Sequence, residues 1–237
     1  MAKSKVVTVD EAMERCFDGM TILLPGFVNC GVPQTLIEGL IDHGIRDLNV
    51  ISNNTSVKGK GIGLLVHEDR IRHLTCSHIG SNEETCAKAV AGEIDITFVP
   101  QGSLCEKVRA GGAGIGGVLT PTGVHTPMQD GKQLLEWDDA AGQFKFVTPD
   151  EPQKGKRYIL ELPLRADVCF VHAWKADRMG NLQYHRTARN FNQTFATAAD
   201  FVIAEAEQIV EVGELDPDAV MTPGALVDMV VQAKMEG

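Results

Sequence analysis

No stretch of the 237-residue chain approaches the ~18 consecutive apolar residues that a membrane-spanning helix needs. Positive charge is also short. Twenty-two Lys and Arg against 32 Asp and Glu leave a net charge of -10, which argues against general nucleic-acid or anionic-membrane binding. An anionic small molecule stays admissible, because local backbone dipoles outweigh a diffuse surface field. Six cysteines, at 16, 30, 76, 86, 105 and 169, include no Cys-x-x-Cys pair, so neither a metal nor a redox motif is supported. A chain this long does not need disulfide staples, and reduced thiols in a cytoplasm are expected. Cys30 alone merits thought as a catalytic thiol, and it has no evident partner. The seven histidines form no His-x-x-x-His or His-Glu-x-x-His spacing, so no metal site is expected. There is no Gly-x-Ser-x-Gly elbow and no Gly-Lys-Ser/Thr phosphate loop. The first residues, Met1-Ala2-Lys3-Ser4-Lys5, run straight into Val6-Val7-Thr8-Val9 with no apolar core or cleavage pattern, so no secretory signal is expected.

Glycine, by contrast, is concentrated. Seven glycines fall between Gly102 and Gly123, and bare backbone of this kind admits positive φ and close approach of a ligand. The stretch follows an apolar strand-like run, Ile94-Asp95-Ile96-Thr97-Phe98-Val99. It therefore reads as a strand end feeding a small-molecule site. No nucleophile or acid–base constellation accompanies it, which suggests a site completed by another chain.

Short apolar runs recur at Thr21-Ile22-Leu23-Leu24, Leu48-Asn49-Val50-Ile51, Ile71 to Cys76, 94 to 99, 166 to 173 and 201 to 205, each reading as a buried parallel strand. Helices are expected from Val9, with Asp10 as its cap, over 35 to 41, over 82 to 91 with Asn82 as cap, and over 104 to 110. Alternation of this kind predicts an α/β fold with an open, mostly parallel sheet and flanking helices. Ligands gather at the carboxyl ends of such strands. Here those ends carry Gly26, Ser52-Asn53-Asn54, Ser77-His78 and Gln101-Gly102. The whole chain, 1 to 237, is expected to be one domain. Residues 129 to 157 are expected as an inserted surface hairpin or loop, because Gln143-Phe144-Lys145-Phe146-Val147 alternates and glycines punctuate its surroundings.

Two features carry candidate chemistry. Gly26-Phe27-x-x-x-Gly31-x-Pro33 lies between a strand and a helix; it either presents helix-N-terminal amides to an anion or simply makes a tight turn. Gln101, a neutral amide at a strand end, either donates to a developing oxyanion or bridges loop backbones. Arg186 and Arg189 either hold a phosphate or face solvent or a neighbouring chain.

Several motifs, taken in order, resemble the family I CoA-transferases. They are Asp18-Gly19-x-x-Ile22-Leu23-Leu24-Pro25-Gly26-Phe27-x-x-x-Gly31-x-Pro33, Val99-Pro100-Gln101-Gly102-Ser103-Leu104, Arg109-Ala110-Gly111-Gly112-Ala113-Gly114, Leu119-Thr120-Pro121-Thr122-Gly123, Ala188-Arg189-Asn190-Phe191-Asn192 and Gly213-Glu214-Leu215-Asp216. The resemblance runs from about residue 8 to 230 and is to the alpha subunit of such enzymes. It implies a CoA-transferase (NagB/RpiA-like) fold and a transfer of CoA between a short-chain acyl-CoA and a carboxylate such as acetate, acetoacetate or butyrate. The alpha subunit of a 3-oxoadipate CoA-transferase is the alternative within the family, and a non-catalytic acyl-CoA-binding module the alternative outside it. The resemblance further implies that the nucleophilic glutamate belongs to a beta subunit, in an assembly of α2β2 or larger. CoA is then substrate and product, with no tightly bound cofactor.

Residue by residue, the resemblance implies that Pro25, Gly26, Phe27, Val28, Asn29, Cys30 and Gly31 approach CoA. Gln101 would stabilise the oxyanion, and Asn53, Gly111, Gly112, Ala113 and Gly114 would line the acyl pocket. The chain departs from the pattern in three places. Pro25 and His125 stand where glycine is usual, and the stretch from about 136 to 153 is longer than in typical relatives.

Overall fold

The structure, a computed structural model, describes residues 4–234; the ends of the expected 1 to 237 domain lie outside the described residues. Strands β1 (Thr21–Leu23), β2 (Leu48–Ile51), β3 (Ile71–Cys76) and β4 (Asp95–Phe98) alternate with helices α2 (Gln34–Asp42), α3 (Ile62–His67) and α4 (Glu83–Ala91). A short helix α1 (Val9–Met13) precedes them, and α5 (Gln101–Ala113) follows. Two long strands, β9 (Ala166–Asp177) and β11 (Ala199–Val210), bracket a two-residue strand β10 (Leu182–Gln183) and α6 (Asn192–Phe195); β12 (Met229–Gln232) comes last. The large sheet runs β12-β11-β9-β1-β2-β3-β4, with every one of these neighbours parallel and β10 alone antiparallel, on β9. The α/β reading therefore stands.

The strands are apolar on both faces because both faces are covered. Side chains alternate across a strand, and the core divides accordingly. Ile22, Val50, Val168 and Phe170 pack with α1, α2 and α3 through Met13, Leu36, Leu40 and Leu65. Their neighbours Leu23, Ile51, Cys169 and Val171 face the other way, onto Leu104 and Val108 of α5 and Phe195 of α6.

Two boundaries differ from expectation. Thr8, not Asp10, caps α1. Its hydroxyl accepts from the Glu11 amide and the Glu11 carboxylate accepts from the Thr8 amide, a reciprocal capping box. The second difference is α5, which starts at Gln101 rather than 104 and continues through Gly111, Gly112 and Ala113 to a left-handed Gly114. A helix start and a helix end thus occupy positions that read as loop, because packing against the sheet overrides weak glycine propensity.

A second sheet lies outside the first. Its strands β5 (Val118–Thr120), β6 (Leu134–Asp138), β7 (Gln143–Val147) and β8 (Arg157–Glu161) are ordered β5-β8-β6-β7, all antiparallel. The alternating run at 143 to 147 is indeed half of a hairpin, with Trp137 opposite Phe144 and their rings edge-on at 5.0 Å. The unit is larger than the expected excursion, since it reaches back to Val118 and forward to Glu161. Two buried carboxylates hold it. Glu136 pairs with Arg157 at 3.2 Å and accepts from the Lys154 amide. Glu161 takes Lys107 of α5 at 2.8 Å and Lys132 at 2.6 Å, tying the small sheet to the large one.

Candidate functional site

The carboxyl ends of β1, β2, β3 and β4 share one edge of the parallel sheet, and the turn at 25–31, Asn53 and Gln101 gather there. After β1 the chain makes a tight turn at 25–31. The Phe27 and Cys30 amides each donate to the other's carbonyl at 3.0 Å. Val28 sits at the tip with φ 56°, a conformation β-branched residues avoid. Strain of this kind costs about 1–3 kcal/mol and persists only where the surroundings enforce it.

The enforcing segment is 187–192. The Asn190 side-chain amide donates to the Cys30 carbonyl at 2.9 Å. The Asn192 amide donates to the Gly31 carbonyl and the Ala188 carbonyl, each at 2.9 Å, while its oxygen accepts from the His172 amide at 2.8 Å. Gly31, at φ 67°, would place a Cβ 2.4 Å from the Ala188 carbonyl, so only glycine fits. The turn leaves Phe27 exposed and walls a cavity of about 510 Å³ with Cys30, Thr187, Asn190 and Phe191. Arg189, a phosphate candidate, turns away to bind Gln193 at 2.7 Å.

The amides at the start of α2 do not all face outward. The Leu36 amide donates to the buried carboxylate of Glu205 at 3.0 Å. Glu205 also contacts His172, its register partner across β9 and β11, at 3.2 Å, and Glu207 reaches the other ring nitrogen at 3.1 Å. Burial pulls the imidazole pKa down, but the hydrogen bonds and charges of Glu205 and Glu207 outweigh it and hold the pKa above its ordinary value. These groups, with Asn29 and Lys60, line a second cavity of about 390 Å³ beside the turn. Sequence reasoning passed over them. The available signal was the pair of acids at 205 and 207 in an otherwise apolar strand.

Asn53 and Gln101 are brought together. The Asn53 amide donates to Gln101 Oε1 at 2.6 Å and to Ser77 Oγ at 3.0 Å, and its oxygen accepts from Asn54. Asn53 is buried and Gln101 half-buried. With Oε1 engaged, the carboxamide orientation is set. Gln101 Nε2 points one hydrogen at Cys105 Sγ, 3.1 Å away, and keeps a second donor. The Cys105 thiol is pushed up, chiefly by burial, so it is a poor nucleophile. Burial also raises Cys16 to about 12 and Cys76 to about 11. Cys30 Sγ meets the Thr187 hydroxyl at 3.5 Å.

Gly111, Gly112, Ala113 and Gly114 are not brought to this place. They occupy the far end of α5, about 15–20 Å from Gln101 at 1.5 Å per residue. Their smallness has a packing use there. A Cβ on Gly111 would lie 1.9 Å from the Leu164 carbonyl, and one on Gly112 2.3 Å from Thr197 Oγ1. His125 adopts φ 64° and joins Gln153 at 2.8 Å on the small sheet. Its left-handed backbone is one that glycine adopts without strain.

Residues 6–233 match the family described as coenzyme A transferase. The chain belongs to that family. It is 44% identical to the alpha chain of an acetate CoA-transferase of Escherichia coli K12 over 97% of both chains. It is 39% identical to the alpha chain of an acetoacetyl-CoA:acetate/butyrate CoA transferase of Clostridium acetobutylicum, over 97% of this chain and 98% of the relative. In fold it is similar to the acyl-CoA transferase YdiF of E. coli O157:H7, solved as a thioester complex with CoA. The TM-score is 0.77 at 22% identity, covering 98% of this chain; the chain spans half the length of that one. Within this family member, the strained turn, the clamp from 187–192 and the Asn53–Gln101 pair all lie on one edge of the sheet. Among the described residues, no helix is long and apolar enough to cross a membrane.

Proposed function

We propose that this chain is the alpha subunit of a heteromeric, cytoplasmic CoA-transferase, acting with a beta subunit in an assembly of α2β2 or larger. It exchanges CoA between a short-chain acyl-CoA and a free carboxylate, with acetate, acetoacetate and butyrate as the substrate class. CoA enters and leaves as substrate and product. The observation that carries this reading is the composition of the Asn53–Gln101 site. Its hydrogen-bonded groups are neutral amides, the Ser77 hydroxyl and a thiol whose pKa is raised. Such a set can stabilise charge but supplies no ready nucleophile.

The chemistry follows from that division. A carboxylate of the beta chain attacks the thioester carbon, forming an acyl-glutamyl anhydride and expelling the CoA thiolate. The thiolate then attacks the glutamyl carbonyl, forming a glutamyl-CoA thioester and releasing the first acid as its carboxylate. An incoming carboxylate reverses the two steps onto itself. Each intermediate keeps the thioester energy, and one hard step becomes several easier ones. Each addition places negative charge on a carbonyl oxygen, and the second hydrogen of Gln101 Nε2 is the donor we assign to it. Asn53 holds Gln101 in that orientation through the 2.6 Å bond. The turn at 25–31 lies against the CoA tail, whose binding energy is then available at the distant reacting carbon.

The test is transfer from butyryl-CoA to acetate by the chain alone and by the chain co-expressed with its beta partner. Activity only in the mixture is expected. Activity of the chain alone would refute the division of labour. Silence in both, with 3-oxoadipate also tried, would replace the reading with that of an acyl-CoA-binding module.

A further inference from the structure

The cavity of about 390 Å³ beside the turn at 25–31 has charged walls. On one side stand His172 of β9 and the two acids of β11, Glu205 and Glu207. Side chains two residues apart share a face of a strand, and the register sets Glu205 opposite His172. The imidazole lies between the acids, with Nδ1 3.2 Å from Glu205 and Nε2 3.1 Å from Glu207. A neutral imidazole has one N–H and one lone pair. It could donate to one carboxylate only and would turn its lone pair on the other. The imidazolium, a donor at both nitrogens, satisfies both contacts. Burial opposes that charge, but the hydrogen bonds and charges of Glu205 and Glu207 keep the ring's pKa above its ordinary value.

The other walls complete the balance of charge. Lys60 stands just before α3, and Lys234, after β12, pairs with Glu38 of α2 at 3.0 Å. Three cationic groups, His172, Lys60 and Lys234, thus meet three carboxylates, Glu38, Glu205 and Glu207. Asn29 of the turn stands in the same wall. His172 is also tied to both flanks of the turn. Through Glu205 it reaches the Leu36 amide in the first turn of α2. Its own backbone amide donates to Asn192, whose side chain donates to the Gly31 carbonyl. A helix start needs only an acceptor for its free amides. It does not call for an imidazolium and a second carboxylate behind that acceptor.

Resting on the reading in which the turn lies against the CoA tail, we propose that His172 is a positioning residue for acyl-CoA binding, its protonated ring holding Glu205 at the start of α2 and keeping the wall beside the turn from becoming anionic. The ligand is itself an anion. Loss of the ring proton leaves one uncompensated negative charge beside it, and the lone pair left on the ring repels one of the two acids. Binding is therefore full while the ring is protonated and weakens as pH rises through the raised pKa. The donor at Gln101 is untouched, so the dependence falls on KM and not on kcat.

The experiment uses the assembled complex. KM and kcat for butyryl-CoA, with saturating acetate, are measured from about pH 6 to about pH 9 at low ionic strength, where charge effects are least screened. In the wild type KM should rise with pH while kcat stays level. Glu207→Gln removes one of the two acids that favour the charged ring, so the midpoint of the rise should move about one pH unit lower. His172→Gln keeps a donor for Glu205 but carries no charge; its KM should be severalfold above wild type at neutral pH and no longer change with pH. KM does not depend on how much of a preparation is folded, so partial misfolding of a variant leaves the readout intact. A midpoint unmoved in Glu207→Gln, or a KM in His172→Gln within twofold of wild type, would overturn the assignment of His172. So would a wild-type KM level across the range, or a pH effect carried by kcat alone. A wild-type complex that transfers no CoA to acetate or to the other acids would overturn the underlying transferase reading, an outcome distinct from these.

Discussion

Replacing Asn192 by Ala tests whether segment 187–192 holds the turn at 25–31. Asn192 is fully buried. Its side chain makes three bonds of 2.8–2.9 Å: to the carbonyls of Gly31 and Ala188, and from the amide of His172. Alanine removes all three and leaves backbone groups without those partners. At about 1 kcal/mol per bond, the low end of the cost of an unsatisfied buried group, the loss is about 3 kcal/mol. For a chain of this size, each kcal/mol moves the melting temperature by about 2–4 °C, so a fall of about 6–12 °C is expected. The assay is thermal unfolding of the purified chain followed by circular dichroism. Gln193→Ala serves as the control, since that half-buried side chain's hydrogen bonds come from the exposed Arg189, and changes away from buried networks stay within about 0.5 kcal/mol. In the assembled enzyme, the same Asn192 variant should raise KM for acyl-CoA, because Val28 loses the support that keeps it at φ 56°. A melting temperature within about 2 °C of wild type would refute the clamp, by the scale just given.

Gln101→Ala should lower kcat of the correctly assembled enzyme by about 10²-fold, as for other lost oxyanion donors; unchanged turnover would remove Gln101 from the mechanism. Glu136 offers a test by pH. Burial alone would raise its pKa, but the Lys154 amide, Arg157, the Gly155 amide and Lys145 hold it at about 2. A carboxyl whose folded pKa is depressed contributes stability that is present above its ordinary value of 4.5 and is lost as pH falls towards 2. Glu136→Gln should therefore be less stable than wild type at neutral pH and show a shallower loss on acidification, read from urea midpoints between pH 7 and pH 3. Parallel curves for the two proteins would show that Glu136 is not among the groups driving acid unfolding.

The parts of this protein that were legible before its structure are those set by local pattern. The runs at 48–51 and 71–76 are strands with the expected ends, because short runs that combine Leu with β-branched Ile, Val or Thr between turn signals leave few other options. Asn82 caps α4 as read, since its side-chain oxygen accepts from the amides of both Glu84 and Thr85. The boundaries of α5 were not legible. Gly102, Gly111 and Gly112 read as loop by propensity, and only contact with Leu164 and Thr197 shows why glycine is needed inside a helix. The small sheet was half visible. Its hairpin has a period-two pattern, whereas β5 and β8 pair residues 39 to 43 positions apart, which no local window records.

By itself, then, the order of apolar runs and caps determined an α/β sheet with its candidate loops on one edge, because parallel strands joined by helices must present their carboxyl ends together. The tertiary structure decided which of those loops meet. It joined Asn53 to Gln101 and fastened Gly31 to Asn192 from 161 positions away. It also set His172 beside Glu205 through strand register and sent Gly111 to Gly114 to the far end of α5. Side-chain hydrogen bonds depend on distances of a few tenths of an ångström between residues remote in sequence, and only the packed sheet fixes those distances.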